Sequence, residues 1–255
     1  MSGGLSGERK PIVVGIDGSS ASLNAARWAV AEAVTRDVPL RLVHVVRDHH
    51  KHTGTTACEA DPLLLTATDA VEEAGHPVCL QVRRTVGDPA EVLIAESCHA
   101  AMVCIGEPTP NPMSGKLFGS VAVALFEHAR CPVAVIRSDS AGLIRDGGVV
   151  SVVLDDEPDN DAVVHLAMQE GRLRKATVRQ IDRRVDSWIR RYPDVHVEVV
   201  ASGTGRRYGR TCDEPGVTQL AVVGDSEADQ LGTLAVPNCH PILDYPDCSV
   251  LMVRN

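Results

Sequence analysis

One strand-and-turn pattern is written twice in this chain, and that duplication limits what it can fold into more than any other feature. Ile12-Val13-Val14-Gly15-Ile16-Asp17 is echoed by the stretch from Val149 to Leu154 and Asp155, an offset of 138 between the two acids. Cys131-Pro-Val-Ala-Val-Ile-Arg137 is echoed by Cys248-Ser-Val-Leu-Met-Val-Arg254, an offset of 117 between the cysteines. Val222-Val223-Gly224 repeats Cys104-Ile105-Gly106. The second copy is therefore shorter by about 21 residues, nearly all lost before Gly224. A chain of 255 residues has room for two units of ordinary domain size. The expected boundaries are 1–138 and 149–255, joined by a Ser/Gly/Asp-rich linker from Ser138 to Gly148.

Within the first copy, short β-branched runs alternate with helical periodicity. The strand from Ile12 to Ile16 ends at Asp17-Gly18-Ser19-Ser20, where Ser19 or Ser20 caps a helix running to about Arg36. Strands follow from Leu40 to Val46, Val78 to Val82, Met102 to Ile105 and Val133 to Ile136. Helices are expected near Pro62 to Ala74, from Ala90 to Cys98 and from Ser120 to His128. Such alternation is the signature of a parallel sheet with right-handed helical crossovers, so the fold class is α/β: two tandem Rossmann-like domains, the second shortened. In the second copy a helix near Asp161 to Arg172 leads into Ala176 to Arg191, which also reads as a helix. That assignment makes the second strand and its loop the missing piece.

Composition removes several function classes. Apolar residues are 44% of the chain but aromatics only 3%, so Val, Ala and Leu must build the core. A net charge of −9 argues against a nucleic-acid surface, which needs a basic footprint. No apolar run reaches the length of a membrane span, and the polar start, Met1-Ser2-Gly3-Gly4, has no apolar signal region, so a cytoplasmic location is expected. Eight cysteines without a CxxC pair read as reduced and mostly buried, with Cys98, Cys104 and Cys131 as small core residues.

The segment with chemical content runs from Gly106 to Ser120, leaving a buried strand and entering a helix at the carboxyl edge of the sheet. Gly106 lets backbone approach a ligand, and Gly119-Ser120 offers amide groups at a helix start, which suit phosphate oxygens. Together with Val14-Gly15-Ile16-Asp17-Gly18-Ser19, Leu42-Val43-His44-Val45, Gly87-Asp88-Pro89-Ala90 and His128-Ala-Arg-Cys131-Pro132-Val133, this order of segments resembles the universal stress protein family, over nearly the whole chain and twice over. The resemblance implies an adenine nucleotide alpha hydrolase-like fold without catalysis. It implies ATP as cofactor, bound by the family's G-x2-G-x9-G-[ST] loop, and no metal. Its site residues would be Gly15 and Asp17 at the end of the first strand, Val45 beside the base, and Gly106, Thr109, Gly119, Ser120 and Val121 around ribose and phosphates.

Thr109 stands where the family has its middle glycine, adding bulk and resisting positive φ. Pro108, Pro110 and Pro112 remove donors, Glu107 repels an anion, and Lys116 offsets part of that. Two lost contacts at roughly 1.5 kcal/mol each would weaken ATP on the order of a hundredfold. In the second copy, Gly224-Asp225-Ser226-Glu227 and Pro237-Asn238 replace the loop, and no nucleotide is expected there. Family members pair through their last strands, which implies an intramolecular pseudo-dimer here and leaves a homodimer open.

Other constellations are weaker. His49, His50, His52 and Cys58 fit no standard zinc spacing and read as a solvated loop. The basic run from Arg172 to Arg191 reads as a solvated helix face. No nucleophile elbow, Walker loop or H-E-x-x-H is present. Two functions stay open: a non-catalytic stress-response regulator holding an adenine nucleotide in its first copy, or a nucleotide-free scaffold whose eroded second copy docks a protein of unknown identity.

Overall fold

A computed structural model describes residues 9–47, 61–108, 116–138, 141–145, 147–153, 161–181, 191–200, 217–224 and 248–254. In chain order its elements are β1 (Ile12–Ile16), α1 (Ser20–Arg36), β2 (Leu40–Val46), α2 (Pro62–Glu72), β3 (Leu80–Val86), α3 (Pro89–Ser97), β4 (Met102–Pro108), α4 (Ser120–His128) and β5 (Val133–Ser138). Then come β6 (Val149–Val153), α5 (Asp161–Arg174), β7 (Val178–Ile181), β8 (Val197–Val200), β9 (Thr218–Val223) and β10 (Ser249–Met252). All ten strands join one sheet in the order β3-β2-β1-β4-β5-β10-β9-β6-β7-β8. Each half has the same internal order, and every pairing is parallel except β5 with β10.

Strand alternation splits the core into two layers. Ile12, Val14 and Ile16 point at α1 and α2, in a layer that continues through Val150 and Val152 to α5. Val13 and Val43 point the other way, at Leu93 of α3 and Leu125 and Phe126 of α4. Both faces of the central strands β1, β4 and β5 are covered, which is why they read as continuous apolar runs, whereas the edge strand β3 stays largely exposed. Between β1 and α1, Gly18 takes φ 83, a turn conformation that suits glycine. Ser19 caps α1, its hydroxyl accepting from the Ser22 amide at 3.1 Å.

The missing residues fall elsewhere than the sequence suggests. Residues 178–181, expected inside a helix, form β7, so the second strand of the second copy is present. Two features override the helical pattern there. Lys175 adopts φ 50 and ends α5, with Ala176 N–H donating to Gly171 O at 2.9 Å. Ladder bonds to β6 and β8 then hold both edges of β7. Asp37 (φ 52) and Val38 close α1 in the same way, again at an offset of 138. Leu40 pairs with Leu80, 40 residues on, whereas Val178 pairs with Val197, 19 residues on. The difference of 21 accounts for the whole deletion, which therefore lies in the span that carries the loop and α2 in the first half. The strand β3 also starts two residues later than expected and runs to Val86.

A local two-fold relation governs the seam. Val133 pairs with Met252 and Val135 with Val250, where 250 and 252 are the 117-residue equivalents of 133 and 135. The pairing is thus reciprocal, as in an isologous dimer contact. Above it, Glu32 and Arg36 of α1 meet Glu170 and Arg174 of α5, their equivalents at offset 138. Arg174 bonds Glu32 at 2.7 Å and Arg36 bonds Glu170 at 3.4 Å. Both glutamates have side-chain exposures of 0%. Arg174 also lies over the Trp28 ring at 4.5 Å. The basic run expected to face solvent is instead partly tied down: Arg174 at this seam, Arg179 to Glu198 at 3.1 Å, and exposed Arg172 to Asp194 at 2.6 Å. Residues 182–190 lie outside the described residues.

Burial, and then the nearby Glu32, raise the Glu170 carboxyl from its ordinary value near 4.5 to about 8, against the pull of Arg174 and Arg36. Its folded pKa lies above its unfolded one, so the folded chain holds a proton that the unfolded chain releases. That contribution is complete below about pH 4.3 and is lost as pH rises through about 8. Stability is expected to fall between pH 6 and pH 9, by at most about 1.4 kcal/mol per pH unit for one proton. Urea melts across that range check this, and Glu170→Gln should flatten the slope.

Among the described cysteines, Cys104, Cys131 and Cys248 are buried, as expected of small core residues, but Cys98 at the end of α3 is exposed. The α3 helix turns its Leu93 and Ser97 side inward and leaves Cys98 on its outer side.

Candidate functional site

The chain turns in opposite directions out of β1 and β4, which are neighbours in the sheet, and their carboxyl ends diverge into a crevice. Open α/β sheets hold ligands at such a point. Here it is a cavity of 580 Å³, within the range that accommodates a nucleoside-sized molecule. One wall is apolar: Val43 and Val45 of β2, Leu93 of α3 and Ile105 of β4. Gly15 faces α3, where an added Cβ would lie 3.0 Å from Leu93. The mouth is polar, formed by Asp17, Ser22, Glu107, Lys116 and the start of α4.

Asp17 ends β1, and its carboxylate turns back on the chain. Its Oδ1 accepts from the Ser19 amide at 2.9 Å and the Ser19 hydroxyl at 2.6 Å. Burial works against its charge, but the bonds from Ser19 and Ser22 prevail and hold its pKa below the ordinary value. Asp17 is therefore both a turn residue and a fixed anion at the mouth. Deeper along β2, His44 bonds Asp61 at 2.6 Å, and Asp61 caps α2 through the amides of Leu63 and Leu64.

Two glycines do work other than the sequence assigns them. At Gly106 it is α1, not a ligand, that presses on the backbone: a Cβ there would overlap the Ala21 carbonyl and lie 2.5 Å from Ser22 N. At Gly119 the expected open amide is engaged, because its N–H donates to Glu107 Oε1 at 2.8 Å. Gly119 sits at φ −73 and ψ 167, ordinary extended backbone, so its lack of a side chain leaves room for that carboxylate. The other oxygen of Glu107 pairs with Arg137 at 3.3 Å. Burial pushes the Glu107 carboxyl up, while Arg137 and the Gly119 amide pull it back.

Arg137, at the end of β5, organises this corner. Its guanidinium donates to the carbonyls of Pro108 (2.9 Å) and Leu117 and lies 4.7 Å from the centre of the Phe118 ring. It is 2% exposed, so these bonds operate in low dielectric.

Of the residues the sequence nominates, Gly15, Asp17, Val45, Gly106, Gly119, Ser120 and Val121 all line this one cavity. Thr109, together with the prolines at 110 and 112, lies outside the described residues, as do His49, His50, His52 and Cys58. The counterpart loop of the second half, from Asp225 to Asn238, lies outside them too. Among the described residues no group of His, Cys, Asp or Glu is arranged to hold a metal ion, and no helix is long and apolar enough to cross a membrane. Sequence reasoning missed Val43, Leu93, Phe118 and Arg137. For Arg137 a signal existed, a cation closing an otherwise apolar strand.

Comparison with known proteins bears on the family and the fold. The model of the universal stress protein family matches residues 8–137. Universal stress protein Rv2624c of Mycobacterium tuberculosis is 38% identical, with both chains covered completely. Universal stress protein Rv3134c of the same organism is 35% identical over 96% of each chain. Among solved structures, a universal stress protein from Archaeoglobus fulgidus superimposes with a TM-score of 0.59 at 12% identity over 97% of each chain, a likeness of fold. Matched in sequence from end to end and in sheet architecture, the chain belongs to the universal stress protein family.

Proposed function

We propose that the first half of this chain binds an adenine nucleotide and acts as a non-catalytic regulator in a stress response. ATP is the form that its loop pattern suggests. The observation that carries this is the 580 Å³ crevice at the divergence of β1 and β4, apolar at its base and polar at its mouth. An adenine ring would lie against Val43 and Val45, ribose would face Asp17, and phosphates would run toward the first turn of α4. Helical geometry leaves the first amides of that turn without intrahelical acceptors. Chemistry on the nucleotide is not part of the proposal, since the sequence carries no recognised catalytic motif. We take 1–138 and 149–255 as the two domains and the β5–β10 seam as an intramolecular pseudo-dimer, supported by its reciprocal pairings. A cytoplasmic location belongs to the same proposal.

Calorimetric titration of nucleotide-stripped protein with ATP up to millimolar concentration tests this. One saturating site per chain is expected. Gly119→Asp should weaken ATP at least about tenfold by adding a carboxylate at the phosphate end. The backbone at φ −73 accepts Asp, a favoured cap, but its Cβ would lie 2.9 Å from Glu107 Oε1, so the Glu107 carboxylate must turn aside, and a thermal melt checks that the fold survives. Absence of binding by the wild type to ATP and to adenosine alike would overturn the proposal.

One observation favours the rival, a nucleotide-free scaffold that docks a protein through its second half: Glu107 already satisfies the Gly119 amide. Silent titrations together with protein capture dependent on residues 149–255 would support it.

A further inference from the structure

A glutamate stands where the proposed ligand would need an anion-binding surface. In the cavity the Glu107 carboxylate bridges two donors that a phosphate group would use, the Gly119 amide at 2.8 Å and the Arg137 guanidinium at 3.3 Å. This placement is built rather than incidental. Glu107 is held at the end of β4 in register with Arg137 of β5, and its side chain is 13% exposed. Gly119 contributes the space, since a Cβ there would lie 2.9 Å from the Glu107 oxygen. Backbone amide, guanidinium and carboxylate make a closed set in which the chain supplies its own anion.

We infer that Glu107 is the specificity-determining residue of the crevice, occupying the place of a phosphate so that the pocket selects an adenine nucleoside over its polyphosphate forms. This rests on the proposed adenine site and sharpens its ligand class. A nucleoside needs the apolar wall and the Asp17 end, whereas the bonds of the Glu107 carboxylate are to Gly119 and Arg137. A triphosphate must either displace the carboxylate from two donors or lie against it. At a separation of a few ångströms in a half-buried site, like charges repel strongly enough to cost more than one decade of affinity. Lys116, which lines the same cavity, offsets part of this.

The test is calorimetry on the nucleotide-stripped full chain with adenosine and with ATP, for wild type, Glu107→Ala and Glu107→Gln. For the wild type, adenosine should bind at least about tenfold more tightly than ATP. Glu107→Ala should leave adenosine within about threefold and improve ATP at least about tenfold. Glu107→Gln keeps the shape and an acceptor for the Gly119 amide while removing the charge, so it should recover part of that gain. It also serves if the alanine variant fails a thermal-melt check of folding. ATP affinity equal in wild type and variants overturns the inference and leaves adenine binding intact. Adenosine and ATP both failing to bind any of the three overturns the proposed site itself.

Discussion

Gly106→Ala is expected to destabilise the protein by about 3 kcal/mol and to abolish ligand binding in the same step. The new methyl has nowhere to go: it would overlap the Ala21 carbonyl and come within 2.5 Å of Ser22 N, both backbone atoms of the first turn of α1. A flexible side chain could rotate away, but backbone held by the Ser19 cap and packed over β1 cannot. Either the end of β4 or the start of α1 must shift by around an ångström. Both elements border the crevice, through Gly106 and Ser22, so its shape changes with them. Chemical denaturation gives the stability loss, and adenosine titration gives the binding loss. Gly15→Ala is the control for crowding against a movable side chain, since the atoms nearest its methyl belong to the Leu93 and Ile105 side chains, and it should cost less. Equal effects at the two glycines would refute the close approach of α1 to β4.

Glu32→Ala is expected to cost about 3 kcal/mol, toward the lower end for a broken buried ion pair. The side chain is fully buried at the seam, bonded to Arg36 and, at 2.7 Å, to Arg174 from the other half. Removing it strips two guanidiniums of a partner and opens a void. Glu170 can then ionise more readily, because its like-charged neighbour is gone, and that recovers part of the loss. The same variant should therefore also flatten the fall in stability between pH 6 and pH 9. A urea melt at pH 7 and another at pH 9 read both effects. Glu73→Ala, which removes an exposed partner of Arg27, should leave the midpoint unchanged. A Glu32→Ala midpoint equal to that control would show that the charges of α1 and α5 do not hold the halves together.

Much of the architecture is legible in the sequence because it rests on strands buried on both faces. Such strands must be apolar where they are buried, and so residues 12–16, 102–105 and 133–136 announce themselves and their echoes, while the ladder carries β4 on to Pro108 and β5 to Ser138 through polar residues that give no such signal. β7 does not, since Val-Arg-Gln-Ile has too little apolar character and only its neighbours in the sheet define it. The helix end before β7 is also weakly marked: Lys175 adopts positive φ without the glycine that marks such a stop, whereas the same turn at Asp37 is followed by the apolar β2, which makes the end at Arg36 legible. With both signals weak, the sequence places the deletion on the second strand and its loop, whereas the strand is present and the deletion falls after it.

At the site, residue types were legible and their partners were not. The glycines at 106 and 119 and the acid at 17 stand out by spacing, and the fold gathers them. Spacing cannot say that Gly106 yields to a helix or that the amide of Gly119 meets Glu107 from a neighbouring strand end. Arg137 reaches the crevice only through the pairing of β4 with β5, a contact invisible in a linear chain.

The most direct measurement is a crystal structure of the full chain grown with excess ATP. Density for an adenine ring against Val43 and Val45, with its sugar beside Asp17, is the expected result. A crevice closed by the protein's own side chains, with nucleotide absent or bound elsewhere, would contradict it.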